Sequence, residues 1–458
     1  MPSASGIARK IYDAMPRQLK RSVLVLPLAW RIGPIYRSHL NFLLESDKWN
    51  KDAHSAYQNK GLSGLLDRAI NNVPHYNRYR RLLGRPPREI LQEIEPIEKE
   101  DIQLDPEMFL DPTVPRSETY ITSTGGTTGR PLEVILDKAG FQIEWAFMVA
   151  QWMRVGYRPG MRKATFRGVP FRGGHLWQEN PVYDEIQFSP FAMSQDNLPL
   201  YVKRIKRYAP DFLYGYPSAL TVMAKFLKIH PECSFPKIRG LLCGSEDIIE
   251  GQRDYLEKAF QARVFSWYGM SEKVILAGEC EKSSLYHAFP QYGITEVVDE
   301  RGNISSKVGS EGEILGTGFM NRAMPFIRYR TGDHARIEAD FCPSCGRSFI
   351  LLGQVKGRWI QEMVIGKHGA PISITALNMH GEVFKDVLQF QFHQKEIGKV
   401  VLKIVPAKAY NDGIESSILR ALYSKTDREI DWTIGKVRSI ELSQRGKSIF
   451  LVQELKEG

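Results

Sequence analysis

Residues 121–134 read ITSTGGTTGRPLEV, and Ser123, Thr124, Gly125, Gly126, Thr127, Thr128 and Gly129 make a run with no core-forming side chain. Glycine lets the backbone approach a ligand closely and adopt φ > 0. Threonine hydroxyls beside backbone N–H groups donate well to phosphate oxygens, so the run suits a polyphosphate. It lacks the GK[ST] ending of a Walker A loop, and Arg130 adds a cation. Taken alone, such a run is equally an ordinary flexible hairpin. A second spacing concerns a metal. Cys342 and Cys345 stand in CPSCGR, and a Cys-x₂-Cys turn can place two thiolates on one ion. A redox pair prefers a following helix, whereas SFILLG reads as strand. Cys280 and His287, seven apart in GECEKSSLYH, are the available further ligands for a closed Cys₃His zinc site. The alternative is a set of unrelated buried thiols. Cys233 and Cys243 have no such partners and read as core.

These residues need a scaffold, and the chain is long enough to supply two or three domains. Up to about residue 120 it reads as helix and connecting loop. Beyond that, strand-like DFLYGY (211–216), IRGLLCGSE (238–246) and ARVFSWYG (262–269) alternate with helical SALTVMAKFLKIH (218–230) and DYLEKAF (254–260). Such alternation predicts an α/β fold. EGEILGTG and PFIRYRTGDHARI read as antiparallel strands. After Gly357 the pattern changes: VLQFQFHQ and KVVLKIVP suggest a hairpin, IESSILRALYSKTD a helix and GKVRSIEL a strand. The expected division is a basic helical extension at 1–54, a large domain at 55–357 and a small α+β module at 358–458.

The composition, 43% hydrophobic and 25% charged, is that of a water-soluble globular chain. No apolar run approaches the roughly 20 residues that a membrane helix needs. The net charge is +10. Within residues 1–40, Arg9, Lys10, Arg17, Lys20, Arg21, Arg31 and Arg37 face one acid, Asp13. This segment reads as a helix docked on the body, or as a surface helix leaning on anionic lipid. No nucleic-acid module accompanies the charge. Five scattered cysteines suit a reducing compartment, so a cytoplasmic location is expected, with peripheral membrane contact as the alternative.

Three further segments stand with the Gly/Thr run: WYGMSEK at 267–273, RYRTGDHA at 328–335 and RGKSIF at 445–450. Their order and separations resemble the adenylate-forming superfamily of acyl- and aryl-CoA ligases. YGYPSAL (214–220), CGSE (243–246) and HAFPQYGITEVVD (287–299) are similar to the phenylacetate-CoA ligase-like group. GKHGAPISITALNMH (366–380) and QFQFHQ (389–394) resemble its capsular polysaccharide (CapK-like) branch. The resemblance covers about residues 55–455. It implies a large domain and a small mobile lid, and a two-step reaction. A carboxylate attacks the α-phosphorus of ATP, giving an acyl-adenylate and pyrophosphate; CoA, an amine or a carrier then displaces AMP.

The resemblance also implies roles. Ser123–Gly129 would cradle the β- and γ-phosphates. Tyr268, Gly269, Met270, Ser271 and Glu272 would border the α-phosphate, with Ser271 as hydroxyl donor and Glu272 holding Mg²⁺, a hard cation that prefers oxygen. Asp333 would accept from the ribose hydroxyls. Gly244, Ser245 and Glu246 would border adenine. Lys447 would swing in with the lid as charge develops, and Arg358 belongs to the hinge. Here KGRW is followed by IQE where the family often has paired acids, so the pivot is altered. Some family members carry zinc on segments like those of Cys280, His287, Cys342 and Cys345. Tyr216, Pro217 and Trp267 are candidates for lining an apolar acid pocket. The leading expectation is an ATP-dependent acid-activating ligase; the capsular resemblance adds, as a further option, that the acid or its acceptor belongs to polysaccharide assembly. Its rival is a catalytically weakened nucleotide-binding scaffold.

Overall fold

The computed structural model describes residues 26–123, 132–167, 175–357, 363–367, 369, 371–374, 377, 382–384, 386–426, 429–442 and 449–455. It is α/β and falls into two compact units. The first takes in the chain up to Gly160, Pro181–Tyr183 and Phe265–Gly357; the second takes in Met161–Asn180, Asp184–Val264 and the residues after Gly357.

In the first unit, helix Pro34–Ser46 packs on helix Lys138–Met153, with the His39 and Phe147 rings 5.2 Å apart. Helix Lys51–Asn72 starts where Asn50 accepts from the Ala53 N–H at 2.9 Å, which satisfies one of the orphan donors of the first turn. Its Leu62, Leu66, Ala69 and Ile70 recur at helical spacing and are fully buried with Tyr76, Ile90 and Ile294. Strands Thr119–Ser123 and Glu133–Asp137 pair antiparallel. The remaining strands pair antiparallel in the order Ile304–Ser305, Gly293–Val298, Glu311–Gly318, Tyr329–Ala339, Ile350–Lys356, Tyr286–Ala288, Leu276–Gly278, Arg263–Gly269.

In the second unit, strands Gly240–Gly244, Phe212–Gly215, Lys163–Phe166 and Glu185–Phe188 run parallel, and Trp177–Asn180 closes the edge antiparallel. Helices Leu198–Tyr208 and Pro217–Ile229 cover them with Tyr201, Ile205, Leu220 and Met223. A second sheet orders Asp431–Lys436, Lys399–Pro406, Val387–Glu396 and Leu451–Gln453, with helix Asp412–Thr426 packed on it through Ile418 and Leu422. GKVRSIEL was expected as a strand, but the strand lies earlier. Asp431–Lys436 pairs parallel with Lys399–Pro406, so Trp432 is buried while 437–441 run on outside it. Among the described residues no helix is long and apolar enough to cross a membrane.

Candidate functional site

Strand Arg263–Gly269, whose residues from Phe265 belong to the first unit, ends in a tight turn. Lys273 N–H donates to the Met270 carbonyl at 3.3 Å, and Lys273 takes a left-handed φ of 60°. A non-glycine residue held there costs about 1–3 kcal/mol, a strain that clusters at functional sites. RYRTGD forms a bulge. Glu313 pairs with His334 and Leu315 with Arg330, so Thr331, Gly332 and Asp333 oppose Ile314 alone. Gly332, at φ 73°, makes the bend. Asp333 N–H donates to Thr331 Oγ1 at 3.1 Å, and Thr331 Oγ1 donates to the Ile314 carbonyl at 2.9 Å. The bulge delivers Asp333 to Tyr268, whose hydroxyl donates to Asp333 Oδ2 at 2.7 Å. Burial, and then the Asp333 carboxylate, push the Tyr268 hydroxyl well above its ordinary value, so it stays a donor. Tyr329, at the start of the same strand, donates to Glu272 Oε1 at 3.1 Å. The WYGMSE and RYRTGD segments are thus tied by two tyrosine–carboxylate hydrogen bonds. Met270 packs on the apolar cluster beneath, Ser271 is half-buried and Gly269 is exposed. A Cβ at Gly269 would meet Leu276 Cδ1 at 2.9 Å.

The two arginines of RYR are structural. Arg328 is 5% exposed and grips Glu296 with bonds of 3.0 and 2.9 Å. Arg330 holds Glu313. Lys273 pairs with Glu144 of helix Lys138–Met153 at 2.9 Å, and the buried Tyr292 hydroxyl donates to Glu144 at 2.8 Å. That acid has no motif around it and escaped the sequence reading.

In the second unit, CGSE leaves strand Gly240–Gly244 with Ser245 at φ 68°. Ser245 Oγ accepts from Arg167 at 3.0 Å, and Arg167 also donates to the Tyr214 hydroxyl and lies over the Tyr214 ring. Glu246 accepts from Ser218 N–H at 3.2 Å, where a carboxylate caps the start of helix Pro217–Ile229. Tyr216 and Trp267 are 3% and 8% exposed and belong to the packed cores of their own units. Pro217 is also buried, at the first position of its helix. Ser123 ends its strand. Thr124–Gly129, Arg358 and Lys447 lie outside the described residues.

No family model matches the chain. It is 23% identical over 338 residues to Protein CapK of Staphylococcus aureus, covering 72% of each chain. It is 25% identical to a phenylacetate-coenzyme A ligase of Thermus thermophilus, covering 70% of this chain and 74% of that one. In structure it matches 2-hydroxyisobutyryl-CoA ligase with a TM-score of 0.66 at 19% identity, over 87% of this chain and 90% of the other. The chain is a relative of CapK and the phenylacetate-CoA ligases. It has the fold of the acyl-adenylate-forming ligases.

This CapK and ligase relative carries a second cluster in its first unit. The ligand atoms of Cys280, His287, Cys342 and Cys345 all lie within 4.8 Å of one another. Cys342 N–H donates to the Arg347 carbonyl and Gly346 N–H to the Cys342 carbonyl, with Gly346 at φ 77° closing the knuckle. Cys280 Sγ accepts from Ser283 N–H at 3.3 Å. His287 Nδ1 lies 2.9 Å from the Leu285 carbonyl, which suits a proton on Nδ1 and leaves Nε2 to face Cys345 Sγ at 3.4 Å. Burial and the nearby Arg154 lower His287 to about 4, so the ring is neutral. Three soft sulfurs and one neutral imidazole at this spacing fit a tetrahedral zinc site. Around it, Arg347 donates to both oxygens of Asp47 at 2.8 Å and to both of Glu281 at 2.6 and 2.8 Å. Arg154 reaches the Glu279 carbonyl at 3.1 Å and Asp47 at 3.3 Å. The motif CPSCGR signals only Arg347 of this frame; Arg154, Asp47 and Glu281 come from distant or unremarkable sequence.

Proposed function

We propose that the protein activates a carboxylic acid with ATP, forming an acyl-adenylate and pyrophosphate, and then passes the acyl group to CoA or another nucleophile. The observation that carries this is the pair of hydrogen bonds, Tyr268 to Asp333 and Tyr329 to Glu272, that ties the WYGMSE and RYRTGD segments in a chain with this fold and kinship. An ionised Asp333 is a two-oxygen acceptor suited to the ribose diol. Glu272 would hold Mg²⁺, which offsets phosphate charge when bound. Ser123–Gly129 would cradle the terminal phosphates, and Gly244–Glu246 would border the base. Lys447, carried by a small module beginning near Arg358, would complete the charge balance at the α-phosphate. Cys280, His287, Cys342 and Cys345 would hold a structural zinc. The resemblance of residues 366–380 and 389–394 to the capsular polysaccharide branch supports a place in polysaccharide assembly, and the cysteine set supports a reducing, cytoplasmic setting.

ATP–pyrophosphate exchange, run against aryl, fatty, amino and uronic acids, tests the reading. Acid-dependent exchange is expected with at least one class. Nucleotide binding with no exchange for any acid would favour a scaffold role.

A further inference from the structure

Helix Pro217–Ile229 holds a lysine where a lysine is costly. Lys225 is 2% exposed, and its Nζ donates to the carbonyl of Val387, the first residue of strand Val387–Glu396. The charged groups acting on it are Asp386, itself buried beside that strand, and Lys228 on its own helix. Next to the lysine lies a partly open pocket of about 30 Å³ lined in part by Thr221, Gln252, Leu388, Phe390 and Phe450, large enough to admit water. Gln252 already spends its side chain on Thr221 Oγ1 and the Ile249 N–H. The walls are otherwise largely apolar, and a charged group taken from water into such a place is disfavoured.

The same two pieces of chain also meet elsewhere among the described residues. Gln195 Nε2 donates to the Pro406 carbonyl at 2.7 Å. Ile249 inserts into the apolar cluster of Val387, Phe390 and Phe392. Lys425 of helix Asp412–Thr426 experiences the opposite charge of Glu250. The C-terminal sheet therefore packs on residues 161–264, and the Lys225 amine lies within that contact.

We propose that Lys225 makes docking of the C-terminal sheet a proton-releasing step, so that the sheet seats more firmly on helix Pro217–Ile229 as pH rises. When docked, burial lowers Lys225 to about 7, with Asp386 drawing it back up and Lys228 pushing it further down. Undocked and solvated, it returns to the usual lysine value of about 10.4. Below about 7 both states carry the proton and docking is independent of pH. Between the two values only the undocked state carries it, so the docked fraction climbs with pH. Linkage of one proton sets the slope at up to about tenfold per pH unit. The inference concerns docking alone and stands whether or not the chain activates an acid.

The test follows fluorescence energy transfer in the full chain between dyes placed by non-canonical amino acids at the exposed positions Lys203 and Arg420. The docked-to-undocked ratio should rise from pH 7 to 9, approaching tenfold per unit, and Lys225→Met should flatten that rise to within about twofold. Asp386→Asn, a second variant that keeps the lysine, should weaken docking at pH 7 and extend the pH-dependent range below 7. A slope that survives in Lys225→Met, or a single unchanging population in the wild type, overturns the proposal. If Lys225→Met does not fold, an unmoved range in Asp386→Asn overturns it.

Discussion

The first unit holds two polar clusters on one antiparallel sheet, and they are built in opposite ways. The Cys280, His287, Cys342 and Cys345 group is largely buried and framed by Arg347 and Arg154. The Tyr268, Asp333, Tyr329 and Glu272 group is half-exposed apart from Tyr329, hung from a bulge and a strained turn. A buried cluster with its ligands already converged contributes to folding. A cluster delivered by a bulge and left partly open contributes contacts that a ligand completes. Removing a group from the first should therefore cost stability, and removing one from the second should cost turnover or affinity.

The sharpest break comes at Cys342. On the proposed zinc assignment, Cys342→Ser leaves three of the four candidate ligands and removes one sulfur from the knuckle. Metal affinity of such a site is folding free energy, so a loss of several kcal/mol is expected, up to failure to fold. Zinc content by elemental analysis and thermal unfolding of the purified protein read this out. A variant that keeps the wild-type melting temperature, or wild-type protein without metal, would remove the structural assignment.

Glu272→Gln is the matching change in the open cluster. It keeps the shape and an acceptor for Tyr329 but deletes a charge. Adenylation measured by pyrophosphate release should fall about 10²–10³-fold, roughly 3–4 kcal/mol, with the melting temperature nearly unchanged. A large drop in melting temperature with normal adenylation would make Glu272 a structural acid.

Acid should strike the first unit through its histidines. His54 is 3% exposed, with both ring nitrogens lacking a hydrogen-bond partner, and its ring lies edge-on to Phe349 at 5.3 Å. Burial lowers it to about 4 from an ordinary 6.5. The unfolded chain therefore takes up the proton first, so this contribution is intact above pH 6.5 and drains away as pH falls to about 4. The loss is of order 2–3 kcal/mol. His54→Phe should flatten stability across that window in denaturant titrations. An unchanged slope would assign the acid sensitivity elsewhere.

How far the sequence exposed this division depends on what each contact needs. Cys-x₂-Cys and the Gly-Asp of RYRTGD are local, and the structure joins the four zinc-type ligands that the spacing singled out. The alternation of strands and helices up to residue 269 was legible because apolar period and turn residues agree there. GKVRSIEL misled because Ile440 and Leu442 alternate with polar neighbours as strand residues do, while the pairing is taken by the preceding Trp432 and Ile434. Glu144 and Arg167 were invisible for a different reason. Each acts across more than seventy residues of sequence, on Lys273 and on Ser245, and nothing local marks either. Lys225 sits in a helix whose period reads as ordinary, and only tertiary packing reveals that it is buried.

The smallest expected effect tests the comparison most finely. Tyr268→Phe deletes one hydroxyl and leaves the ring packed on its apolar cluster. Asp333 loses a donor held at 2.7 Å but keeps its place, because the bulge is fixed by Thr331 and Gly332. A hydrogen bond to a charged group is worth about 1.5–3 kcal/mol when fully desolvated, and less at this half-exposed position. On the proposed reading it orients Asp333 toward the ribose, so the loss should appear in ground-state binding. KM for ATP should rise by up to about tenfold while kcat stays within about twofold and the melting temperature within a degree or two. The alternative is a hydroxyl that pins the two strands together. In that case Tyr268→Phe would lower the melting temperature and leave KM alone, as a change in the cysteine cluster does, and the contrast between the two clusters would fail at its most exposed contact.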